Sequence, residues 1–539
     1  MYRAPPLIDQ ARLLAGLGRG LGAFFRDVLP AEEAKARLAR GLAARKANFA
    51  HMIEHGIFRV KHSPYRRLFE HAGAELGDVL DLMRREGVEG ALARLADAGV
   101  YVRLDEFKGR TPIRRGSLEF DVASRDFDNP LSGRHVEVQS GGSRSAGTRI
   151  YIDLGLYAHD AAYDAVQWAA DGLRGRTFAL WSPAPPSSAA IGTAMCRTLM
   201  GVPIARWFAQ SVPAITDRTW RHAVLLAMVR HVSKREGRPI PRPELVKATE
   251  ARRVAAWLAE RKEAGEACVV YTSPSGGVRV ALAAREAGLD IAGTVFEVVG
   301  EPMTDARACS LAHAGCRASI CYGMAEVRRV GQPCGAPAAL DDVHVLIDKL
   351  ALIRRERLLP GGASVMVNVY TTLLPVTPKL MLNVESDDYG VVEERACGCA
   401  LGELGFNLHL HTIRSHEKLT SEAMNFLGRD LILVVEEVLP GSFGGSPTDY
   451  QLVEEETPEG LPRVRLVVSP RVGDLDERAV VARVVDFLNH LPGAGGAFGE
   501  RWRDGQTLSI VRREPYATSA SKVLALHTMK RKEERSSPG

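Results

Sequence analysis

Residues 294–304 read Thr-Val-Phe-Glu-Val-Val-Gly-Glu-Pro-Met-Thr, which predicts a strand, a tight turn and the start of a helix. Gly300 marks the turn. Similar β-rich runs alternate with helical segments elsewhere in the chain, at residues 136–138, 177–180 and 268–271. Strands separated by helices of roughly 10–20 residues are typical of βαβ units. The predicted fold class is therefore α/β, with a mostly parallel sheet.

The composition of the sequence and its pattern of apolar residues change twice, which divides the chain into three parts. Residues 1–100 are rich in Ala, Leu, Arg and Glu and have apolar residues at helical spacing, so we predict a helical prefix of the large domain. Residues 101–414 carry the alternating strands and helices and form the core of a large N-terminal domain with mixed, mostly parallel sheets. Residues 415–539 contain strand-like runs at 464–468 and 508–511 around a helical segment, which predicts a small α+β domain.

Composition and charge narrow the class of protein. The chain has 539 residues, 46% hydrophobic and 25% charged, the balance of a soluble globular protein with more than one domain. The formal charge of +5 is spread over interspersed acidic and basic residues, which argues against a nucleic-acid partner. No uncharged apolar run reaches the roughly 18 residues of a membrane span. Asp9, Arg12 and Arg19 interrupt the N-terminal apolar stretch, so it predicts an amphipathic helix rather than a signal peptide.

A Gly/Ser-rich segment between two predicted strands is a candidate phosphate loop. Residues 139–148 read Gln-Ser-Gly-Gly-Ser-Arg-Ser-Ala-Gly-Thr. Glycines let main-chain N–H groups approach an anion, and hydroxyl groups add further donors. The candidate donors are Ser140, Gly141, Gly142, Ser143, Ser145, Gly147 and Thr148. The pattern of a Walker loop is absent, and from these residues alone a plain hairpin tip is an equal alternative.

A second candidate follows the Gly300 turn. Residues 320–326 read Ile-Cys-Tyr-Gly-Met-Ala-Glu. The flat ring of Tyr322 suits stacking on a base, and Gly323 permits a close backbone approach. Glu326 offers the carboxylate oxygen that Mg²⁺ prefers beside phosphate oxygens. An isolated pattern of this kind is more often a buried tyrosine and a surface glutamate, so its weight depends on the neighbouring motifs.

These segments, in this order, resemble the motifs of the adenylate-forming (acyl-CoA synthetase, ANL) superfamily, and most closely its phenylacetate–CoA ligase branch. The matching segments are residues 111–116, 139–148, 300–304 and 320–326. The lysine usual in the family's phosphate loop is missing here. The likeness covers roughly residues 100–525 and implies a nucleotide site that includes Gly300, Glu301, Pro302, Tyr322, Gly323, Met324 and Ala325.

The resemblance also assigns roles further along the chain. Residues 371–373 and 382–390 resemble the Thr-Thr-Leu and Thr-Gly-Asp motifs, so Asp388 would accept both ribose hydroxyls, although Asp387 stands where the family has glycine. Arg414 would contact the ribose or a phosphate. The expected hinge is His416 with Glu417, and the expected catalytic lysine of the C-terminal loop is Lys522.

The reaction implied by the resemblance is activation of a small carboxylic acid with ATP and Mg²⁺ to an acyl-adenylate and pyrophosphate. Lys522 would stabilise the developing charge, Glu326 would hold Mg²⁺, and rotation of a mobile C-terminal lid domain would then admit coenzyme A for thioester formation. The alternatives are a carrier-protein thiol or an amine as acceptor, and a non-catalytic nucleotide-binding homologue. We expect a monomer or homodimer.

Four residues predict a metal site. In a large chain without an export signal, the eight cysteines are expected as reduced thiols or metal ligands of a cytoplasmic protein. Cys334, His344, Cys397 and Cys399 make a complete tetrahedral set for a structural Zn²⁺. Some members of the resembled family carry a similar arrangement. The alternative is that these are ordinary packed thiols and a packed imidazole.

Overall fold

The computed structural model describes most of the chain. The described residues are 7–133, 136–139, 149–185, 187–212, 220–358, 364–415, 418–421, 424–427, 434–445, 449–457, 459, 462–490, 508–516 and 526–528. Within these ranges, no helix has both the length and the apolar character that crossing a bilayer requires.

The first part of the chain is helical. Its elements are α1 (Leu7–Arg26), α2 (Ala31–Ala43), α3 (Arg45–His51), a π-helical turn (Met52–Phe58), α4 (Pro64–Ala72), α5 (Leu76–Asp97) and α6 (Leu104–Phe107). Two antiparallel strand pairs follow: β1 (Ile113–Arg115) with β2 (Leu118–Phe120), and β3 (Val136–Gln139) with β4 (Arg149–Ile152). The apolar faces of α3–α5 lie in one buried cluster with strands from much later in the chain.

Next comes a six-stranded parallel sheet with its connecting helices. In chain order the elements are α7 (Leu154–Ala170), β5 (Thr177–Trp181), α8 (Ser188–Leu199), β6 (Ile204–Ala209), α9 (Trp220–Arg235), β7 (Glu244–Leu245), α10 (Ala251–Glu263), β8 (Cys268–Thr272), α11 (Pro274–Glu286), β9 (Val295–Val298), α12 (Asp305–His313) and β10 (Arg317–Ile320). The spatial order is β10-β9-β8-β5-β6-β7, and every pairing is parallel.

Helices cover both faces of this sheet. Along β5, Phe178 and Leu180 lie in a cluster with α1, α2 and α7–α9, whereas Ala179 and Trp181 lie in a cluster with α10–α12. This alternation is the period-2 geometry of a strand with two buried faces. All residues of β9 are buried, as the run at 294–299 predicts. The predicted α/β fold with a parallel sheet is confirmed.

The sheets formed by residues 322–427 are antiparallel in every pairing. The elements are β11 (Tyr322–Met324), β12 (Arg328–Pro333), β13 (Val343–Val345), β14 (Leu350–Leu358), β15 (Ser364–Thr372), β16 (Val384–Glu385), β17 (Asp388–Glu394), α13 (Ala400–Glu403), β18 (Leu408–Ser415), β19 (Lys418–Ser421) and β20 (Met424–Leu427). One sheet has the order β11-β12-β13-β18-β17, a second β14-β15-β16, and β19 pairs with β20.

The C-terminal part has its own small core. Its elements are a π-helical turn (Val434–Val438), α14 (Leu439–Phe443), β21 (Tyr450–Glu456), β22 (Pro462–Val468), a 3₁₀ turn (Pro470–Val472), α15 (Glu477–His490), β23 (Leu508–Arg512) and β24 (Leu526–Thr528). The four strands form a mixed sheet in the order β23-β22-β21-β24. Apolar residues of α15 pack on β21 and β22 in a separate buried cluster. A smaller α+β unit beside the large one agrees with the predicted fold class.

Candidate functional site

The turn after β9 depends on the conformation of Gly300 and on the hydrogen bonds and ion pair of Glu301. Gly300 has a φ of 91°, a left-handed conformation that favours glycine. Glu301 is buried; it accepts hydrogen bonds from Ser275 N at 3.1 Å and Ser275 Oγ at 2.8 Å, and it pairs with Arg307 at 2.9 Å. Arg307 also donates to the Pro302 carbonyl at 2.7 Å. The segment is therefore a rigid support at the carboxyl end of the parallel sheet.

Tyr322 and Asp388, which are far apart in sequence, meet in the structure. Tyr322 begins β11 and Asp388 begins β17, the two edge strands of the five-stranded antiparallel sheet. The Tyr322 hydroxyl donates to Asp388 Oδ2 at 2.8 Å. This contact requires the sheet to curl until its edges approach each other, as strongly twisted sheets do. The structure therefore places the expected base-stacking ring beside the expected ribose carboxylate.

A buried polar layer lies behind this pair. Asn368 and Tyr370 are fully buried on the same face of β15. The Tyr370 hydroxyl contacts Tyr322 and Asn368, but among the described residues none of these contacts has the alignment of a full hydrogen bond. Burial, and then the Asp388 charge, raise the pKa of both tyrosines above the ordinary range. Sequence reasoning missed Asn368 and Tyr370, although polar residues alternating within a buried strand were a usable signal.

The segment that leads to Asp388 is fixed by main-chain contacts. The Thr371 and Thr372 hydroxyls accept hydrogen bonds from Asn383 N at 2.9 Å and Met381 N at 3.0 Å. The Asp388 N–H donates to Ser386 Oγ at 3.0 Å. The motif at 371–373 therefore acts as a support for the Asp388 turn.

Glu326 lies in the turn between β11 and β12 and is paired with a lysine. The ammonium of Lys108, just after α6, donates to Glu326 Oε1, and the two side chains are 14% and 8% exposed. Burial opposes the charge on Glu326, but attraction and hydrogen bonding by Lys108 outweigh it and lower its pKa to about 2. An ionised carboxylate oxygen is the donor that Mg²⁺ prefers, so Glu326 fits the expected cation. Sequence reasoning did not identify Lys108.

The β11–β12 turn is tight because Gly323 lacks a side chain. A Cβ on Gly323 would lie 2.3 Å from the Arg328 carbonyl oxygen. Met324 and Ala325 are half-buried and complete the approach to Glu326. The structure thus assigns Gly323 to the contact between neighbouring strands.

Buried charges behind this turn hold its backbone. Arg328 has a φ of 64°, which is uncommon for a residue with a side chain. Its Nε pairs with Asp160 Oδ2 at 2.8 Å, and Lys349 Nζ donates to Asp160 Oδ1 at 2.8 Å and to the Val327 carbonyl at 3.1 Å. Asp160 lies on α7 and is fully buried. The one visible signal for it was the helical spacing of the polar residues Asp160, Asp164 and Gln167 on an otherwise apolar helix.

Other expected residues lie outside the described ranges. These are Ser140, Gly141, Gly142, Ser143, Ser145, Gly147 and Thr148 of the phosphate loop, the hinge residues His416 and Glu417, and Lys522. Arg414 is described only through the pairing of its backbone with Tyr389 across β17 and β18.

The four expected zinc ligands come together. His344 Nε2 lies 3.0 Å from Cys399 Sγ and 3.7 Å from Cys397 Sγ. Cys334 contacts both other thiols, and its contact together with that of His344 lowers the pKa of the Cys399 thiol. A Cβ on Gly402 would lie 2.8 Å from Cys397 Sγ, so the backbone packs closely around the sulfurs.

Two further observations fit a metal at this cluster. His344 Nδ1 lies 2.6 Å from the Phe406 carbonyl oxygen, to which it donates, so its Nε2 lone pair faces the sulfurs. Donor atoms of His409, Cys334, His344 and Cys397 all lie within 4.8 Å of one another. His409 Nε2 is buried and has no partner among the described residues, while its Nδ1 lies 2.9 Å from Asp342 Oδ1. The sequence contained no signal that placed His409 here.

Comparison with known proteins gives a structural likeness only. No protein-family model and no curated protein matches the chain. The structure of 2-hydroxyisobutyryl-CoA ligase in complex with 2-HIB-AMP and CoA is 15% identical, with a TM-score of 0.57, and covers 93% of this chain and 91% of that one. A mutant of an amide bond synthetase from Marinactinospora thermotolerans is 14% identical, with a TM-score of 0.39, and covers 91% of this chain and 92% of that one. At 15% identity, the first match shows a shared fold: the chain has the α/β fold of this adenylate-handling CoA ligase over almost its whole length.

Proposed function

We propose that this protein joins a small carboxylic acid to ATP as an acyl-adenylate, releases pyrophosphate, and transfers the acyl group to the thiol of coenzyme A. The observation that carries the proposal is the contact of Tyr322 with Asp388, with the ionised Glu326 in the adjoining turn. Motifs that are distant in the sequence thereby contribute the proposed stacking ring, ribose acceptor and cation ligand. The shared fold with a CoA ligase supports an adenylating ligase, and the order of the motifs supports the phenylacetate–CoA ligase branch.

In the proposed mechanism the protein supplies placement and charge rather than a nucleophile. Tyr322 stacks on the adenine, Asp388 accepts the ribose hydroxyls, and the loop at 140–148 binds the phosphates. A carboxylate oxygen of the acid forms a bond to the α-phosphorus as the bond to pyrophosphate breaks, and Lys522 stabilises the added charge. Mg²⁺, held by Glu326, would supply further neutralisation of the phosphates.

The second half-reaction needs a different arrangement. The C-terminal domain, residues 415–539, turns about Arg414, His416 and Glu417 relative to the core at 101–414 and its helical prefix at 1–100. Lys522 then leaves the site and the thiol of coenzyme A attacks the acyl carbon. The thiol loses its proton to solvent and AMP leaves. Such a rotation is a conformational gate between two chemical steps.

A structural Zn²⁺ completes the proposal. Cys334, His344, Cys397 and Cys399 fit it because three thiols and one imidazole converge with the histidine oriented from behind. The zinc would cross-link the loop at 397–399 to β13 and take no part in the reaction.

Pyrophosphate exchange with a panel of carboxylic acids tests the reaction, and mass spectrometry of the products identifies the acceptor. Exchange with at least one acid is expected. Lys522→Ala should lower its rate by about 10²–10³, while Lys530→Ala, in the basic segment at residues 530–532, serves as the charge-matched control. Absence of exchange with every acid would favour a non-catalytic homologue. An amide product would identify an amine as the acyl acceptor instead of coenzyme A, and a carrier-bound product would identify a carrier-protein thiol.

A further inference from the structure

The carboxylate that the proposed function assigns to a divalent cation already has a cation bound to it. Lys108 reaches Glu326 from a part of the chain 218 residues away. Its position is fixed, because its main-chain N–H donates to the Leu104 carbonyl at 2.9 Å at the end of α6. Both side chains are largely shielded from water, with 14% and 8% exposed.

Lys108 is the contact partner of this carboxylate. A second ammonium, that of Lys379, also acts on Glu326 electrostatically. Lys379 is held elsewhere, however, at 2.6 Å from Asp128 Oδ1 and 2.7 Å from the Ser124 carbonyl oxygen. A buried carboxylate without a counter-charge is costly. Lys108 removes that cost when no metal is bound.

Two cations cannot share this carboxylate without a penalty. Mg²⁺ binds a carboxylate oxygen at about 2.0–2.1 Å and gives up its water reluctantly. With the ammonium hydrogen-bonded to the same group, the two positive charges would lie within a few ångströms of each other in a shielded site. In such a site the Coulomb repulsion between two positive charges is much larger than it is at the same distance in bulk water.

We propose that Lys108 is an internal counter-cation that competes with a divalent cation for Glu326, so that the metal is accepted there only together with a nucleoside polyphosphate. The phosphates bring the negative charge that two neighbouring cations require. This proposal rests on the proposed function only in assigning a cation to Glu326. The free protein is then kept from binding metal without nucleotide.

Direct Mn²⁺ binding to the nucleotide-free protein tests the competition, with electron paramagnetic resonance for affinity and calorimetry for Tm. Lys108→Gln keeps a hydrogen-bond donor for the carboxylate, and Lys108→Met removes it. Both variants should bind Mn²⁺ at least about tenfold more tightly than the wild type, and Mn²⁺ should raise their Tm. Lys108→Arg, which retains the charge, should bind as weakly as the wild type. Lys61→Gln, at an exposed position, controls for the loss of one positive charge.

The added Glu326→Gln substitution separates the outcomes. If the gain in Mn²⁺ affinity disappears in the Lys108→Gln/Glu326→Gln double variant, the competition is confirmed. If Lys108→Gln binds no more Mn²⁺ than the wild type, or if the gain survives Glu326→Gln, the competition is overturned. The proposed function is judged separately: Glu326→Gln must weaken Mn²⁺ binding in the complex with a non-hydrolysable ATP analogue, and an unchanged affinity would remove Glu326 from the cation site.

Discussion

At the scale of a residue, Tyr322 would serve two tasks in the proposed nucleotide site. Its ring is half-buried against the core that α3–α5 form with the later strands, and its hydroxyl donates to one oxygen of Asp388 at 2.8 Å. A carboxylate has room for several donors. The hydroxyl therefore orients the carboxylate that the proposed function assigns to the ribose, whereas sequence reasoning assigned to Tyr322 only the stacking of its ring.

Tyr322→Phe separates these tasks, because it keeps the ring and removes the hydroxyl. Loss of the hydroxyl that orients Asp388 is expected to weaken ATP binding, by at most about the 1.5–3 kcal/mol that a hydrogen bond to a charged group contributes. Calorimetric titration should show that loss with ATP but not with 2′,3′-dideoxy-ATP, whose ribose cannot engage Asp388. Tyr322→Ala and Asp388→Ala should weaken ATP binding more than acid binding. An equal loss for both nucleotides in Tyr322→Phe would show that the hydroxyl does not orient Asp388.

At the scale of elements, the site depends on parts of the chain that carry no motif. Helix α7 supplies Asp160, which binds both Arg328 and Lys349 and so fixes the turn that follows Glu326. On α8, a Cβ at Gly192 would lie 2.0 Å from Arg328 Nη1, so this glycine makes room for the guanidinium. The motif turn is therefore rigid because two helices of the parallel-sheet layer hold it from behind.

Asp160→Asn tests this support through stability and its pH dependence. Removing one partner of buried charges typically costs about 3–5 kcal/mol. Burial opposes the charge of Asp160, but Lys349 and Arg328 outweigh it and lower its pKa below the ordinary 3.8. The stability that ionised Asp160 contributes is thus present above about pH 4 and is lost as the pH falls through the lower folded-state pKa. Urea unfolding from pH 7 to pH 2 should show a smaller acid loss in Asp160→Asn, and an unchanged pH profile would contradict this role.

At the scale of the whole molecule, the thiol cluster joins segments that no single element connects. Cys334 follows β12, His344 lies in β13, and Cys397 and Cys399 lie in the connection before α13. Phe406, whose carbonyl orients His344, belongs to the hydrophobic core that α1, α2 and α7–α9 form on one face of the parallel sheet. A metal here would therefore stabilise the junction between the antiparallel and parallel layers.

Elemental analysis of protein purified without added metal or chelator should find one zinc per chain. Cys399→Ser should lower zinc content and Tm together, because a closed site contributes folding energy. Cys268→Ser, in β8 of the parallel sheet, is the matched control and should retain its zinc. Strong chelators or low pH should remove the metal, since thiolate ligands must be deprotonated. A zinc content well below one per chain would contradict the site, and the four residues would then be ordinary packed thiols and a packed imidazole.

The sequence by itself determined the features that local pattern encodes. The β-rich runs at 177–180, 268–271 and 294–299 alternate with helical segments, and strand and helix periodicity follow from backbone geometry within a few residues. The parallel sheet, the Gly300 turn and the small α+β C-terminal unit could therefore be predicted. The antiparallel sheets formed by residues 322–427 were harder to predict, because nothing local in a short strand indicates whether its partner is parallel or antiparallel to it.

Only the tertiary structure decided which side chains meet. The Lys108–Glu326 pair spans 218 residues and the Tyr322–Asp388 contact spans 66. Such contacts depend on how layers pack and how far a sheet curls, and neither leaves a periodic trace in the sequence. His409 entered the thiol cluster for the same reason, since its strand pairs with the strand of His344. The chemistry of each group follows from its residue type, whereas its partner follows from the fold.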